Sequence, residues 1–216
     1  MIKAVIFDMD GVLINSQEAH YKADLMALSE LGFDMDIEFV MKGAGTNTFE
    51  RFGKWRDELG FEKSTKEARE RREEIIKELF INEGVDGVKG ARELLVDIKN
   101  NGIKTAVASS SSYELIYTVL DALDERNLFD AVISGDDMEK SKPAPDIFLK
   151  AAEVLGVEPS ECIVVEDSTN GVKAGINARM KVLGYKNPTS GNQDISPANC
   201  VTDDFTQYNF NKLSLI

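Results

Sequence analysis

The chain opens on Ile2-Lys3-Ala4-Val5-Ile6-Phe7-Asp8-Met9-Asp10-Gly11-Val12, an apolar, β-branched run that breaks into two aspartates and a glycine. The run is apolar on both faces of an extended chain. It therefore fits a strand buried in a parallel sheet better than an alternating, half-solvated one. Runs of the same kind recur at 103–108, 131–133, 163–165 and 181–183. Helical spacing lies between them. Ala91, Leu94, Leu95 and Ile98 share one stripe, Leu115, Ile116, Val119 and Leu120 a second, and Ile147, Phe148, Ala151, Ala152 and Leu155 a third. Gly102 and Gly156 stand where a left-handed cap would end two of these helices. Strand alternating with helix predicts an α/β fold, a doubly wound parallel sheet with right-handed crossovers.

One segment breaks the alternation. Between 16 and 82 no strand pattern stands out. Tyr21, Leu25, Leu28 and Leu31 form one helical stripe, and Phe49, Phe52, Trp55 and Leu59 another. Residues 65–80 read as a charged helix with Ala68, Ile75, Ile76 and Leu79 inward and its Glu, Arg and Lys solvated. The expected division is an α/β core from 1–15 and 83–216, with 16–82 inserted as an all-helical domain.

A chain of 216 residues is long enough for one large or two modest domains with a real core. Its net charge of −13 argues against a nucleic-acid or anionic-membrane partner, since both require a basic face. An anionic small molecule is still allowed, because local cations can outweigh the global field. Cys162 and Cys200 do not make a disulfide framework, and Cys162 reads as a small buried hydrophobe. The opening apolar run, cut off by Asp8, is too short for a signal peptide or a membrane span. A monomer in a reducing cytoplasm is the expected state.

In an open parallel sheet, ligands sit at the carboxyl ends of the strands. The first strand is followed by Asp8-Met9-Asp10-Gly11-Val12 and the second by Ser109, Ser110, Ser111 and Ser112. The third leads into a loop with Lys142-Pro143, and the fourth into Glu166-Asp167-Ser168. Two close carboxylates repel and need a cation or a shared proton. Asp8 and Asp10 facing Glu166 and Asp167 would make an all-oxygen site suited to Mg²⁺. Such a site would hold a substrate phosphate against Asp8, which would attack phosphorus as a carboxylate nucleophile. Asp10 would protonate the leaving oxygen and later deprotonate the incoming one. Ser109, Ser110 and Lys142 would supply hydroxyls and a cation for the phosphoryl oxygens.

Each residue also has a plainer reading. Asp8 to Gly11 is compatible with a turn closed by capping carboxylates, and the serines with helix caps. Lys142 taken alone is an ordinary surface lysine, Glu166-Asp167 a turn, and His20 a packed or capping residue on its helix. The conjunction at four strand ends favours the chemical reading.

The ordered set Asp8-Met9-Asp10-Gly11-Val12, Ser109, Ser141-Lys142-Pro143 and Glu166-Asp167 resembles the haloacid dehalogenase-like hydrolase superfamily across essentially the whole chain. The helical insertion resembles the cap of its subfamily I. The resemblance implies a Rossmann-like core, a mobile cap, Mg²⁺ and an aspartyl-phosphate on Asp8, with Asp10 as acid and base. It implies a metal held by the carboxylates of Asp8 and Asp167, the Asp10 carbonyl and Glu166. Asp10 excludes the dehalogenase branch. Gly11-Val12, His20, Lys42-Gly43, Ser141 to Asp146 and Glu166 to Ser168 resemble the β-phosphoglucomutase branch.

Two departures bear on that branch. It carries an arginine three residues after its cap Lys-Gly pair, where this chain has Thr46. It carries a lysine three residues after the motif serine, where this chain has Ser112. A mutase must grip a second, remote phosphate, and each lost charged hydrogen bond costs about 1.5–3 kcal/mol. Arg69, Arg71 and Arg72 are candidate replacements from the insertion. The expectation is a Mg²⁺-dependent phosphohydrolase for a small phosphorylated metabolite, with His20, Lys42, Gly43 and Thr46 as cap substrate residues. The alternatives are a β-phosphoglucomutase and, more remotely, a catalytically silent phosphate-binding module. The Asp8/Asp10 pair argues against the last, because a pure binder needs no acid and base.

Overall fold

The structure is a computed structural model and describes residues 1–43 and 46–216. Ala44 and Gly45, within the candidate cap stretch 42–48, lie outside the described residues. In chain order the main elements are β1 (Ala4–Phe7), α1 (Gln17–Glu30), α2 (Ile37–Met41), α3 (Thr48–Leu59), α4 (Thr65–Glu83), α5 (Ala91–Asn100) and β2 (Lys104–Ser109). They continue with α6 (Tyr113–Ala122), β3 (Ala131–Ser134), α7 (Asp146–Leu155), β4 (Cys162–Glu166), α8 (Thr169–Asn177), β5 (Lys181–Tyr185), β6 (Cys200–Thr202) and α9 (Phe210–Leu213). The fold separates into two compact units, Met1–Asn15 with Asp86–Ile216, and Ser16–Val85.

The first unit is an α/β, Rossmann-like fold built on one sheet of order β3-β2-β1-β4-β5-β6, parallel throughout. All four residues of β1 are buried, as its unbroken apolar run requires. Alternate residues Ala4, Ile6, Ala108 and Val164 pack with Ile147, Phe148 and Ala151 of α7 and with Val172 of α8. Val5, Phe7, Val107 and Val165 are equally buried and point to the opposite face by the two-residue period of a strand. Gly102 and Gly156 adopt positive φ, of 73° and 66°, as expected of helix-ending glycines. The register sets Phe7 beside Val165 and Val107, so Asp8 emerges between the ends of β4 and β2. The strand order turns around at β1 and β4, the position where open sheets of this kind bind ligands.

The second unit is helical. Ala68, Ile75, Ile76 and Leu79 of α4 are buried, and Ser64 and Glu67 form a capping box at its start. The buried face of α1 differs from the apolar stripe, comprising Ala23, Asp24, Ala27 and Leu28. On α3, Phe52 and Trp55 are buried with Arg51, whereas Phe49 is 49% exposed. Ion pairs account for the shift. Asp24 accepts from Arg72 Nε at 2.8 Å and lies 3.0 Å from Arg51 Nη2, so charged side chains occupy the interior of this unit. A buried carboxylate flanked by two guanidiniums recovers enough of its desolvation cost to sit there.

Candidate active site

Asp8 follows β1 directly, and its N–H donates to Val165 O at 3.0 Å, which continues the ladder one residue past the strand. The chain then turns. Leu13 N–H donates to Met9 O at 2.8 Å, and Gly11 adopts a φ of 81°. A side chain at Gly11 would be strained by that φ and would overlap the Asp167 carboxylate, so only glycine lets this turn approach β4 so closely. Ser168 caps α8, its Oγ accepting from Gly171 N–H at 3.0 Å. A Cβ on Gly171 would overlap the Glu166 carboxylate, which lies across the first turn of that helix.

Lys142 joins these ends. Its Nζ donates to Asp8 Oδ1 at 2.6 Å, to Glu166 Oε1 at 2.8 Å and to Ala108 O at 3.3 Å. Glu166 Oε2 accepts from Ser168 N–H at 2.8 Å and Ser168 Oγ at 2.9 Å. Both oxygens of Glu166 are thus engaged. Asp8, Glu166 and Asp167 are buried, and each offers a carboxylate oxygen within 4.8 Å of the others.

The electrostatics are lopsided. Burial pushes the Asp8 carboxyl well above the usual carboxylate range; Lys142 opposes that, and Glu166, Asp167 and Asp10 reinforce it. Burial, followed by the charge of Glu166, pushes Asp167 up to about 8, against the hydrogen bond from Ser190. Burial would lower the Lys142 ammonium, but the charges of Asp8 and Glu166 outweigh it and hold its pKa above the ordinary value. Four carboxyls, those of Asp8, Asp10, Glu166 and Asp167, stand against this one buried lysine among the described residues. Such a cluster of oxygen donors fits a hard divalent ion such as Mg²⁺.

The other sequence candidates fall in different places. Ser109 is 1% exposed, and its Oγ accepts from Ser111 N–H at 3.1 Å. Ser110 is exposed. Ser112 caps α6, accepting from Leu115 N–H at 3.3 Å. In the helical unit, His20 Nδ1 lies 2.6 Å from Arg72 Nη2. Thr46 Oγ1 donates to Gly43 O at 2.6 Å, and Lys42 is exposed. The arginines considered as replacement cations are engaged. Arg72 holds Asp24 and His20, Arg71 holds Glu30, Glu74 and Glu78, and Arg69 lies 3.6 Å from Glu73.

Four further polar residues touch these groups; Ser111 and Ser168 stand at strand ends already singled out in the sequence, whereas Ser190 and Asn187 do not. Ser111 Oγ donates to Asp10 Oδ2 at 3.4 Å, and Ser168 holds Glu166. Ser190 Oγ donates to Asp167 Oδ2, and Asn187 Nδ2 donates to Gly11 O at 2.9 Å. The last two follow β5, so the strand-end rule that found the other loops would have reached them.

The family model for haloacid dehalogenase-like hydrolases matches residues 5–185. "Protein SUPPRESSOR OF QUENCHING 1, chloroplastic" of Arabidopsis thaliana is 38% identical over 194 residues, which is 88% of this chain but 18% of that much longer protein. Hexitol phosphatase B of Escherichia coli (strain K12) is 30% identical over 198 residues, covering 88% of this chain and 86% of that one. The crystal structure of a β-phosphoglucomutase from Clostridium difficile matches with a TM-score of 0.84 at 29% identity, over 100% of this chain and 96% of that one. The matched span takes in Asp8, Ser109, Lys142, Glu166 and Asp167, and the chain belongs to the haloacid dehalogenase-like hydrolase family.

Proposed function

We propose that this chain is a Mg²⁺-dependent phosphatase of small phosphorylated metabolites, sugar phosphates foremost, working through an aspartyl-phosphate on Asp8. The observation that carries the reading is Lys142 bridging Asp8 and Glu166 beside Asp167 at the sheet's switch point. A metal would be held by Asp8, Asp167 and the Asp10 carbonyl, with Glu166 adding charge and aiming Lys142. When bound, the ion neutralises the carboxylates and polarises the phosphoryl oxygens.

The chain's own residues then divide the work. Lys142 favours the ionised form of Asp8 against its burial and meets the developing charge on phosphorus. An Asp8 oxygen bonds to phosphorus as the ester P–O bond breaks, and Asp10 gives its proton to the departing oxygen. Water then attacks the phospho-aspartate, Asp10 takes its proton, and inorganic phosphate leaves. Ser109 and Ser110 bind the transferring group. The unit Ser16–Val85 acts as a cap, with His20, Lys42, Gly43 and Thr46 as its substrate-facing candidates. The related hexitol phosphatase supports a sugar phosphate as substrate.

The match to a β-phosphoglucomutase supports a second reading, isomerisation of β-glucose 1-phosphate to glucose 6-phosphate. A test of the common mechanism is p-nitrophenyl phosphate turnover with Mg²⁺, comparing wild type with Asp8→Asn. Complete loss in a folded Asp8→Asn protein is expected, and activity within about tenfold of wild type overturns the assignment.

A further inference from the structure

The loop after β5 is fixed by its own bonds. Asn187 Oδ1 accepts from Thr189 N–H at 2.8 Å and Thr189 Oγ1 at 2.7 Å. Asn187 Nδ2 reaches Gly11 O at 2.9 Å and Asn15 Oδ1 at 3.0 Å. Ser190 N–H donates to Asn187 O at 3.3 Å, and Ser190 O accepts from Gln193 Nε2 at 3.3 Å. Gln193 in turn accepts from Thr169 N–H at 2.9 Å, at the start of α8. Ser190 is therefore held on both sides of its own backbone, and its buried hydroxyl is aimed at Asp167 Oδ2. The same oxygen is crowded by the Gly11 turn, where a Cβ would overlap it.

One Asp167 oxygen is thus hydrogen-bonded by Ser190 and closely approached by the Gly11 turn. Mg²⁺ demands a near-octahedral shell and takes one oxygen per carboxylate, whereas Ca²⁺ accepts both oxygens of a carboxylate in a larger, looser shell. We propose that Ser190 is a positioning residue: by occupying Asp167 Oδ2 it restricts Asp167 to one-oxygen coordination and biases the site toward Mg²⁺ over Ca²⁺. This rests on the metal-dependent reading above.

The test is calorimetric binding of each metal alone, without substrate, to wild type, Ser190→Ala and Ser190→Thr. Hydrogen-bonded partners of metal ligands change metal affinity by about 10–100-fold, so in Ser190→Ala the preference for Mg²⁺ over Ca²⁺ should fall roughly tenfold. Ser190→Thr keeps the hydroxyl and should keep the preference. A role in loop packing alone would weaken both metals alike, so a preference within about threefold of wild type in Ser190→Ala overturns the proposal. If Ser190→Ala does not fold by circular dichroism, Ser190→Cys carries the same comparison, since a thiol keeps the size and is a weak donor. Wild-type protein that binds no Mg²⁺ would instead overturn the functional reading itself.

Discussion

Lys142 Nζ donates to Asp8 Oδ1 across 2.6 Å, although the two residues stand 134 positions apart in the chain. The bond spans the sheet's switch point, and Lys142 has little freedom to make any other. Its side chain is 8% exposed, Glu166 takes a second of its protons, and the Phe148 ring centroid lies 4.9 Å from Nζ.

Replacing that lysine should damage both activity and stability. Lys142→Met leaves Asp8 and Glu166 buried without their cation, and breaking a buried pair costs about 3–5 kcal/mol. Turnover of p-nitrophenyl phosphate should fall roughly 10²–10³-fold, the usual loss for one aimed electrostatic donor. Lys142→Arg should not rescue it, because a planar fork does not fit a slot shaped for a point charge between two carboxylates. Steady-state kinetics and thermal melts read both effects. A Lys142→Met enzyme within about tenfold of wild type would remove Lys142 from the mechanism.

Metal-free protein should lose stability as pH rises. Asp167 titrates near 8 when folded against an ordinary value of 3.8, and Asp8 is displaced in the same direction. Between those limits the folded state binds more protons than the unfolded chain, so stability falls with rising pH. The lowered carboxyls of Glu30, Asp130 and Glu161 act in the opposite sense, but only in acid, near their unfolded values and below. Lys142, whose pKa is raised, stays charged throughout the window and contributes no slope. In EDTA the melting temperature should therefore drop by several degrees between about pH 5.5 and pH 8, at about 2–4 °C per kcal/mol for a chain of this size. Mg²⁺ should reverse the drop, because it binds the ionised carboxylates. Asp167→Asn should flatten the slope. A melting temperature that rises with pH in EDTA would contradict the carboxyl environment described above.

What the sequence made legible followed from strand-end chemistry. Asp8, Lys142 and Glu166 stand out because carboxylates and a lysine interrupt apolar runs, and a parallel sheet brings such interruptions to one edge. The strand β6 was not legible, being three residues long with none of them buried. Asp24 and Arg51 were hidden for another reason. Periodicity counts apolar residues, and a buried ion pair between helices 27 positions apart leaves no periodic trace. The apolar stripe of α3 points Phe49 inward, whereas the structure exposes Phe49 and buries Arg51. Ser190 follows β5 within reach of the same strand-end rule, but its role depends on Asp167, 23 residues earlier, and the sequence does not show that pairing.

The balance between hydrolysis and phosphate migration turns on remote cations. A mutase must hold one phosphate away from the reacting aspartate while the other transfers. Thr46, at the position where the mutase branch carries arginine, spends its hydroxyl on Gly43 O. Ser112, where that branch carries lysine, caps α6 instead. Arg71 and Arg72 hold glutamates and Asp24. A second phosphate would have to displace those partners, and the buried Arg72–Asp24 pair is the costly one, at about 1.5–3 kcal/mol for each charged bond broken. Water should therefore reach the phospho-aspartate before a weakly held sugar phosphate can turn over. Phosphorus NMR on β-glucose 1-phosphate, with a bisphosphate primer and Mg²⁺, follows inorganic phosphate and glucose 6-phosphate in one sample. Inorganic phosphate should accumulate faster, and a panel of sugar and hexitol phosphates should give net phosphate release. If glucose 6-phosphate forms many times faster than phosphate is released from any of them, the enzyme is a mutase, and the engaged arginines must exchange partners when substrate binds.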